Sequence, residues 1–435
     1  MSRAEQRIKR KLEKNPVVEC NRIQKKYCPT LFQEFQSTTD TRNQGYVEYS
    51  NKTMLGTLYY KGIAGIVSMQ GMTYEFNQEN ITSNLLHFLG EDDKEFLPHG
   101  VTLNEYLEKL DPKEVQEIQQ KLVYQMIRRK TFDDSRFQKS WLVLVDGTQL
   151  YSGNRKINEH CLEKCYNKGT DEEKTNYHIN VLEAKILLND KVIVSIGSEF
   201  IENKKRPVGM SDEDWKQDCE LKAFKRLMGK IKKKFPRLPI TLLLDSLYAA
   251  DPVMTMCAKN NWNYIIRYKA GSIPSIAEEY ENIPEKVVSG NTEYINGIGY
   301  KSHEVNVLRQ EEKLEGGVRT FQWITNIKLT QNNAEKVAKA GRKRWKIENE
   351  GFNRQKNWQG DITHACSHKM ETLKNHYLMQ QIADMIKQLY EWYFLEANEI
   401  KKKQKNISSD LLSSFAGQLT REDISSTETH SVTIN

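Results

Sequence analysis

Two aspartates close short apolar runs, Asp146 at the end of WLVLVDG and Asp245 at the end of ITLLLDS. Open sheets present groups to ligands at the C-terminal ends of their strands, and two carboxylates converging there can share divalent cations. Either aspartate taken alone reads as readily as a turn opener. A third acid comes from GRKRWKIENEGFNRQKNW, where Arg344 and Glu348 stand four apart and share one helix face. The arginine can orient that acid or hold a phosphate beside it. Glu350 lies about 200° around a regular helix from Glu348 and points elsewhere. Glu199 and the Asp218/Glu220 pair are weaker candidates, either supporting the other acids or simply lying on helix and hairpin faces.

The elements that carry these residues follow from periodicity. Residues 29–135 read as mainly helical, with turn signals at Asp40-Thr41-Arg42-Asn43 and Leu97-Pro98-His99-Gly100. From Trp141 short apolar runs take over, and INVLEAKILLNDKVIVSIGSEF reads as two strands turning at Asn189-Asp190. A polar loop through Pro207 and Asp212 leads to a helix over about 215–234. The strand ending at Asp245, a helix over 250–259 and the strand NYIIRYK follow. Strand, carboxylate, helix, strand is α/β order. Residues 272–330 are rich in Gly, Thr and Val and read as a β-rich insertion in a core formed by 136–271 and 331–400. In the second part of that core one long helix begins near Gln331, with Gly341 and Gly351 weakening its continuity, and another spans about 376–397. Residues 1–28 are expected to form a basic arm, and 401–435 a poorly ordered tail.

Composition narrows the classes. With 38% hydrophobic and 28% charged residues, 23 Gly and 10 Pro, the 435-residue chain is that of a folded protein rather than a collagen-like or wholly disordered one. No run approaches the roughly 20 apolar residues of a membrane span, which excludes a helical channel or transporter. The opening MSRAEQRIKRKLEKN lacks the apolar centre of a signal peptide, so a cytoplasmic protein is expected. Seven cysteines, thinly spread, fit a reducing compartment, and His160, Cys161 and Cys165 lack the second pair that a structural zinc needs. The excess of 65 Lys plus Arg over 58 Asp plus Glu permits a polyanionic partner without requiring one.

Taken together, WLVLVDGTQL, ITLLLDSLYA and RKRWKIENEGFNRQK resemble the three acidic blocks of the DDE transposases, specifically those of the IS4 superfamily of bacterial insertion sequences. The likeness spans about residues 140–390 and, more loosely, DTRNQGYVEYS and VSMQGMTYEF before them. It implies an α/β fold, an RNase H-like mixed sheet flanked by helices with a β-rich insertion, and an N-terminal helical domain over 29–135 that binds DNA. By motif, Asp146, Asp245 and Glu348 become the catalytic and metal-binding acids. The family's Tyr, Arg, Glu, Lys signature is matched at Arg344 and Glu348, but Gly341 stands at the tyrosine position and Gln355 at the lysine position, with Lys356 one residue late. Trp323 would correspond to an insertion aromatic that holds a flipped base, though it reads more readily as a core tryptophan.

The resemblance implies two Mg²⁺ or Mn²⁺ ions, with Asp146 bridging both. Two such ions about 4 Å apart activate a water and neutralise the leaving 3′ oxygen. The same centre then directs a DNA 3′-OH at a second phosphodiester, so cleavage and joining are one reaction with different nucleophiles. Arg344, Lys346, Arg354 and Lys356, with Lys232, Lys233 and Lys234 of the preceding basic helix, are the expected phosphate contacts. The partners implied are the double-stranded DNA of the element's terminal repeats and of the target, bound by a homodimer at the nucleoid. A nuclease that cuts without joining needs the same acids, and a domesticated DNA-binding protein keeps the fold without the chemistry.

Overall fold

The structure is a computed structural model that describes residues 15–203, 216–269, 271–314, 317–419 and 424. The basic segment before residue 15, the loop through Pro207 and Asp212 and the chain end after Leu419, Ile424 excepted, lie outside the described residues.

Seven helices come first: α1 (Pro16–Tyr27), α2 (Leu31–Gln36), α3 (Asn51–Ala64), α4 (Met69–Phe76), α5 (Glu79–Leu89), α6 (Gly100–Lys109) and α7 (Pro112–Arg128). Asn15 caps α1 by accepting from the Val17 and Val18 amides, with Pro16 in the first turn. Val17, Cys20, Ile23 and Tyr27 recur at helical spacing and are buried. That stripe makes 16–27 part of the packed helical region, so the expected arm through residue 28 is corrected.

The core sheet contains β1 (Trp141–Gly153), β2 (Leu162–Tyr166), β3 (Lys174–Leu187), β4 (Ile193–Ile201), β5 (Ile240–Leu244) and β6 (Asn263–Arg267). β3 pairs antiparallel with β1 and β4, while β5 runs parallel to β1 and β6 parallel to β5. The parallel strands are linked by α9 (Asp251–Asn260), and α8 (Glu220–Lys234) precedes β5. This is a mixed sheet flanked by helices, as the resemblance implied. After α10 (Pro274–Asn282) come β7 (Val287–Ser289), β8 (Thr292–Tyr300), β9 (His303–Leu314) and β10 (Gly317–Thr325). They do not fold into a layer of their own. β10 pairs antiparallel with β6, Trp323 opposite Arg267, and extends the core to a ten-stranded sheet ordered β2-β3-β1-β5-β6-β10-β9-β8-β7, with β4 also on β3.

The long helix expected from Gln331 is broken into pieces: α11 (Ala334–Arg342), a 3₁₀ turn over Lys343–Trp345, a π-helical segment over Ile347–Asn353 and the short α12 (Arg354–Asn357). α13 (Met370–Tyr390) follows, buried on nearly every side between the N-terminal helices and β4. Asn375 donates to the Leu107 and Leu110 carbonyls at 2.8 Å each, satisfying the end of α6. Beyond it, α14 (Gln404–Phe415) packs on α1, α3 and α5 through buried Ile407, Leu411 and Phe415. The expected disorder from residue 401 therefore fails over 404–415. The polar composition there conceals an i, i+4, i+8 apolar stripe, and Phe415 meets Tyr60 edge-on at 5.5 Å.

Candidate active site

Register brings the two aspartates together. The last β1–β5 pair is Leu144 with Leu243, so Asp146 and Asp245 each lie two residues further along adjacent parallel strands and emerge on the same face. Neighbouring strands run about 4.8 Å apart. Asp245 is fixed by accepting from the Leu247 amide at 2.9 Å, which starts the turn Ser246–Tyr248. Glu348 approaches from the π-helical segment, which packs on β1 and β4. Arg344 ties the acids: it donates to Asp146 at 3.1 Å and to Glu348 at 2.7 Å. The i, i+4 pairing expected from sequence is present, and the arginine also reaches across to the strand.

The electrostatics are those of crowded negative charge. Burial pushes the Asp146 carboxyl up to about 7; Arg344 opposes this, while Glu348 and Asp245 add to it. Arg344 stays charged because Glu348 and Asp146 outweigh the cost of its burial. Carboxylate oxygens alone make up the donor set, the chemistry of a hard cation such as Mg²⁺ or Mn²⁺. Among the described residues no three His, Cys, Asp or Glu side chains group tightly enough to hold one ion. In this arrangement the Arg344 guanidinium supplies the positive charge between Asp146 and Glu348.

Beside Asp245 opens a cleft of about 310 Å³ lined by Ser246, Arg267, Lys269, Phe321, Trp323, Gly341, Arg342, Arg344 and Trp345. Trp323 is buried on β10 and stacked on Phe321 at 6.1 Å, yet it forms one wall of this cleft. A Cβ on Gly341 would stand 2.5 Å from the Trp323 Nε1. The indole thus fills the space that a side chain at 341 would need, which is a physical reason for glycine at the signature's tyrosine position. Arg342 lies over the Phe321 ring at 3.7 Å and Arg267 at 5.0 Å. Arg267, Lys269 and Phe321 were missed from sequence. The available signal was the strand NYIIRYK, which ends on cations where the earlier runs WLVLVDG and ITLLLDS reach aspartates.

Other expected contacts lie elsewhere. Arg354 is buried and held by Asp384 at 3.0 Å and by Glu391, so it is a core ion pair and not a surface cation. Gln355 is fully buried, donating to Asp384 at 2.7 Å and Gln381 at 2.9 Å. Lys346 binds Glu350 at 2.8 Å and the Asp190 carbonyl at 2.8 Å, on the hairpin side of the segment, and Lys356 is half-buried. Lys232, Lys233 and Lys234 end α8, about 20 Å along its axis from the end nearest the aspartates. They therefore do not flank the acids, and Lys232 spends its donors on the Pro236 and Asn260 carbonyls. Glu199 is paired with Arg226 and Lys230, and Asp218 with Arg226. A larger cleft of about 1130 Å³, between Glu350 and Gln404, adjoins none of the three acids.

Residues 218–383 match the family described as Transposase DDE domain. The matched span includes Asp245, Trp323, Gly341, Arg344 and Glu348, whereas Asp146 lies before it. Among solved structures, the piggyBac transposase synaptic complex with hairpin DNA is similar to 94% of this chain and 85% of that one, at 13% identity and a TM-score of 0.43. No curated protein matches the chain. Among the described residues, no helix is long and apolar enough to cross a membrane.

Proposed function

We propose that the protein is a DNA transposase that cuts the ends of its own element and transfers the resulting strand to target DNA with Mg²⁺ or Mn²⁺. The observation that carries this reading is the convergence of Asp146 and Asp245 at matched positions on parallel neighbours, with Glu348 joined to Asp146 through Arg344. Asp146, Asp245 and Glu348 would hold two divalent ions, which supply a water of lowered pKa and neutralise charge at the departing 3′ oxygen. Arg344 then gives up one of its two carboxylates and turns its guanidinium to a phosphate, a geometry that a lysine does not reproduce. Arg267 and Arg342, stacked on Phe321, line the cleft beside Asp245 and favour a phosphodiester over a neutral substrate. DNA on both sides of the cut, and pairing of two ends by two copies of the chain, follow from the reaction.

The test is end-mapping. Purified protein is incubated with DNA carrying its gene boundaries, with and without Mn²⁺, alongside Glu348→Gln. Metal-dependent breaks at fixed positions, absent with the variant, are expected. Equal products from both proteins, or no metal-dependent break on DNA that is demonstrably bound, would refute the reading.

A further inference from the structure

Three lysines are buried among the described residues: Lys61, Lys185 and Lys387. The ammonium of Lys185 donates to Gln381 at 2.7 Å and that of Lys387 to Ser408 at 2.6 Å. Lys61, in the last turn of α3 and 6% exposed, has no hydrogen-bond or ion-pair partner among the described residues. Desolvated charges are normally paired, so Lys61 lacks what the other two have.

Lys61 lines a small pocket of about 40 Å³ where α3, the loop after α12 and α13 meet. The rest of its polar lining is rich in donors. The Gln380 amide on α13 has its oxygen wedged between Gly62 and Gly360, 3.1 Å from where a Cβ on either would stand, and its Nε2 is buried without a partner among the described residues. His376, also on α13, donates through Nε2 to the Asn104 Oδ1 at 2.7 Å, and Asn104 donates its own amide to the Cys366 carbonyl at 3.0 Å. His364 stands at the exposed mouth. Against these groups stand one carboxylate and one thiol. Asp361 accepts from the Thr363 amide at 3.0 Å and hydroxyl at 2.6 Å, and the Cys366 Sγ is directed at the Val67 carbonyl at 3.6 Å. Burial pulls the Lys61 ammonium below its usual range, with the Cys366 thiol opposing, and brings His376 down to about 3, with Lys61 and His364 adding to the effect. An anion between them would offset that opposition to positive charge.

We propose that this pocket binds one phosphate-class oxyanion, held by the Lys61 ammonium and the Gln380 amide and entering past His364. A water would meet the hydrogen bonds but leave the charge, whereas an oxyanion meets both. The space is several times the roughly 10–15 Å³ that one water needs. Two sources supply this chemistry: free inorganic phosphate, or a backbone phosphate of DNA lying over the loop. Leu150, on the pocket wall, is four residues beyond Asp146 on β1, roughly 13 Å along the strand. DNA cut at the acids would cross the mouth at that distance, and this second source alone rests on the proposed function.

Full-length protein is melted in sodium phosphate and in sodium chloride of equal ionic strength, as wild type, Lys61→Met and Gln380→Leu. Lys61→Met keeps the linear stem and removes an uncompensated charge, so in chloride it is expected to melt no lower than wild type. Gln380→Leu, which keeps the lysine, carries the same test should Lys61→Met melt early. At phosphate about a hundredfold above its dissociation constant, wild type should melt about 3 °C higher than in chloride. That increment disappears in Lys61→Met, and Gln380→Leu binds phosphate about tenfold more weakly. With a DNA phosphate as the ligand, free phosphate leaves all three proteins unchanged. Lys61→Met then binds duplex DNA of the gene boundary at least about tenfold more weakly, with a salt slope shallower by about one. Responses to phosphate and to DNA equal to wild type in both variants would overturn the proposal, assigning any phosphate effect to adventitious surface ions. Phosphate binding lost in Lys61→Met, without metal-dependent cleavage of DNA by wild type, would refute the proposed function and leave this site standing. Metal-dependent cleavage with unchanged responses in both variants would do the reverse.

Discussion

Replacing Gly341 by alanine sets two local effects against each other, and the structure decides the sign. Gly341 lies in the last turn of α11, where alanine alone would gain roughly 1 kcal/mol of helix propensity. Its Cβ, however, would stand 2.5, 2.8 and 2.9 Å from Nε1, Cε2 and Cδ1 of Trp323. Those atoms belong to a rigid ring that is 1% exposed and stacked on Phe321, so there is no flexible end to swing aside. Overpacking of this kind costs about 1–3 kcal/mol, and three contacts with one rigid ring place it near the top of that range. The net expectation is a loss of about 2 kcal/mol, read from urea unfolding followed by tryptophan fluorescence. Trp323→Leu relieves the clash, so in the double variant the alanine costs far less than it does alone, a coupling that a double-mutant cycle isolates. A Gly341→Ala protein as stable as wild type or more so, or a cycle with no coupling, would refute the argument that the indole holds position 341 as glycine.

Four further outcomes follow. Arg354→Met leaves Asp384 and Glu391 without their buried partner and should cost about 3–5 kcal/mol in the same unfolding assay. The salt dependence of DNA binding by that variant should match wild type, and a shallower slope would restore Arg354 as a phosphate contact. Leu411→Ala should cost about 2–5 kcal/mol, since the side chain is fully buried; a neutral result would return α14 to a dispensable tail. Lys387 is buried beside Arg354, Glu391, Asp384 and Cys20, and burial first, then Arg354, bring it from 10.5 down to about 8. Because the folded value is the lower one, the charged lysine opposes folding fully below about pH 8, by roughly 3 kcal/mol, and that opposition fades as pH rises toward 10.5. Stability of wild type relative to Lys387→Met should therefore rise across that window, and a flat difference in denaturant midpoints refutes it.

The placement of the three acids at two strand ends and on one helix face was legible because each rests on a local rule, whereas their proposed role came only from the family resemblance. Apolar runs ending in aspartate mark strand ends, and a four-residue spacing places Arg344 and Glu348 on one face. What escaped was fixed by contacts distant in sequence. Nothing local distinguishes Arg354, which joins Asp384 and Glu391 across 30 and 37 residues, from a surface arginine of the same basic helix. Lys232, Lys233 and Lys234 are correctly placed on a helix, but their distance from the acids depends on which end of α8 meets the sheet. The break from α11 into 3₁₀ and π geometry was foreshadowed by Gly341 and Gly351 only as weakened helix, because Trp323 and Lys185, the side chains against them, come from other strands. The strands after residue 286 were legible as strands. Their union with the core depended on β10 finding β6, a pairing that periodicity does not encode.

The π-helical segment poses a physical question, since its wider turn is a poor structure on its own and persists where tertiary contacts hold it. Here both ends are held. Before it, Lys343 and Lys346 grip Asp190 at the β3–β4 turn, by side chain at 2.6 Å and by carbonyl at 2.8 Å. After it, Arg354 and Gln355 enter a buried network with Gln381 and Asp384 of α13. Midway, Gly351 rests on the stem of Lys185, whose ammonium donates to Gln381 at 2.7 Å, and a Cβ on that glycine would come within 3.2 Å of the Lys185 Cε. Adjacent Glu183 accepts from Ser195, Ser198 and Tyr377. Buried ionic groups of this kind contribute little net stability, because desolvation offsets most of the attraction. What they do provide is position. The backbone around Glu348 is fixed at both ends and in the middle, while its side chain remains 47% exposed and tied by a single arginine. The proposed role, in which Glu348 takes up an ion beside two strand-end aspartates, calls for that combination of a rigid base and a free head.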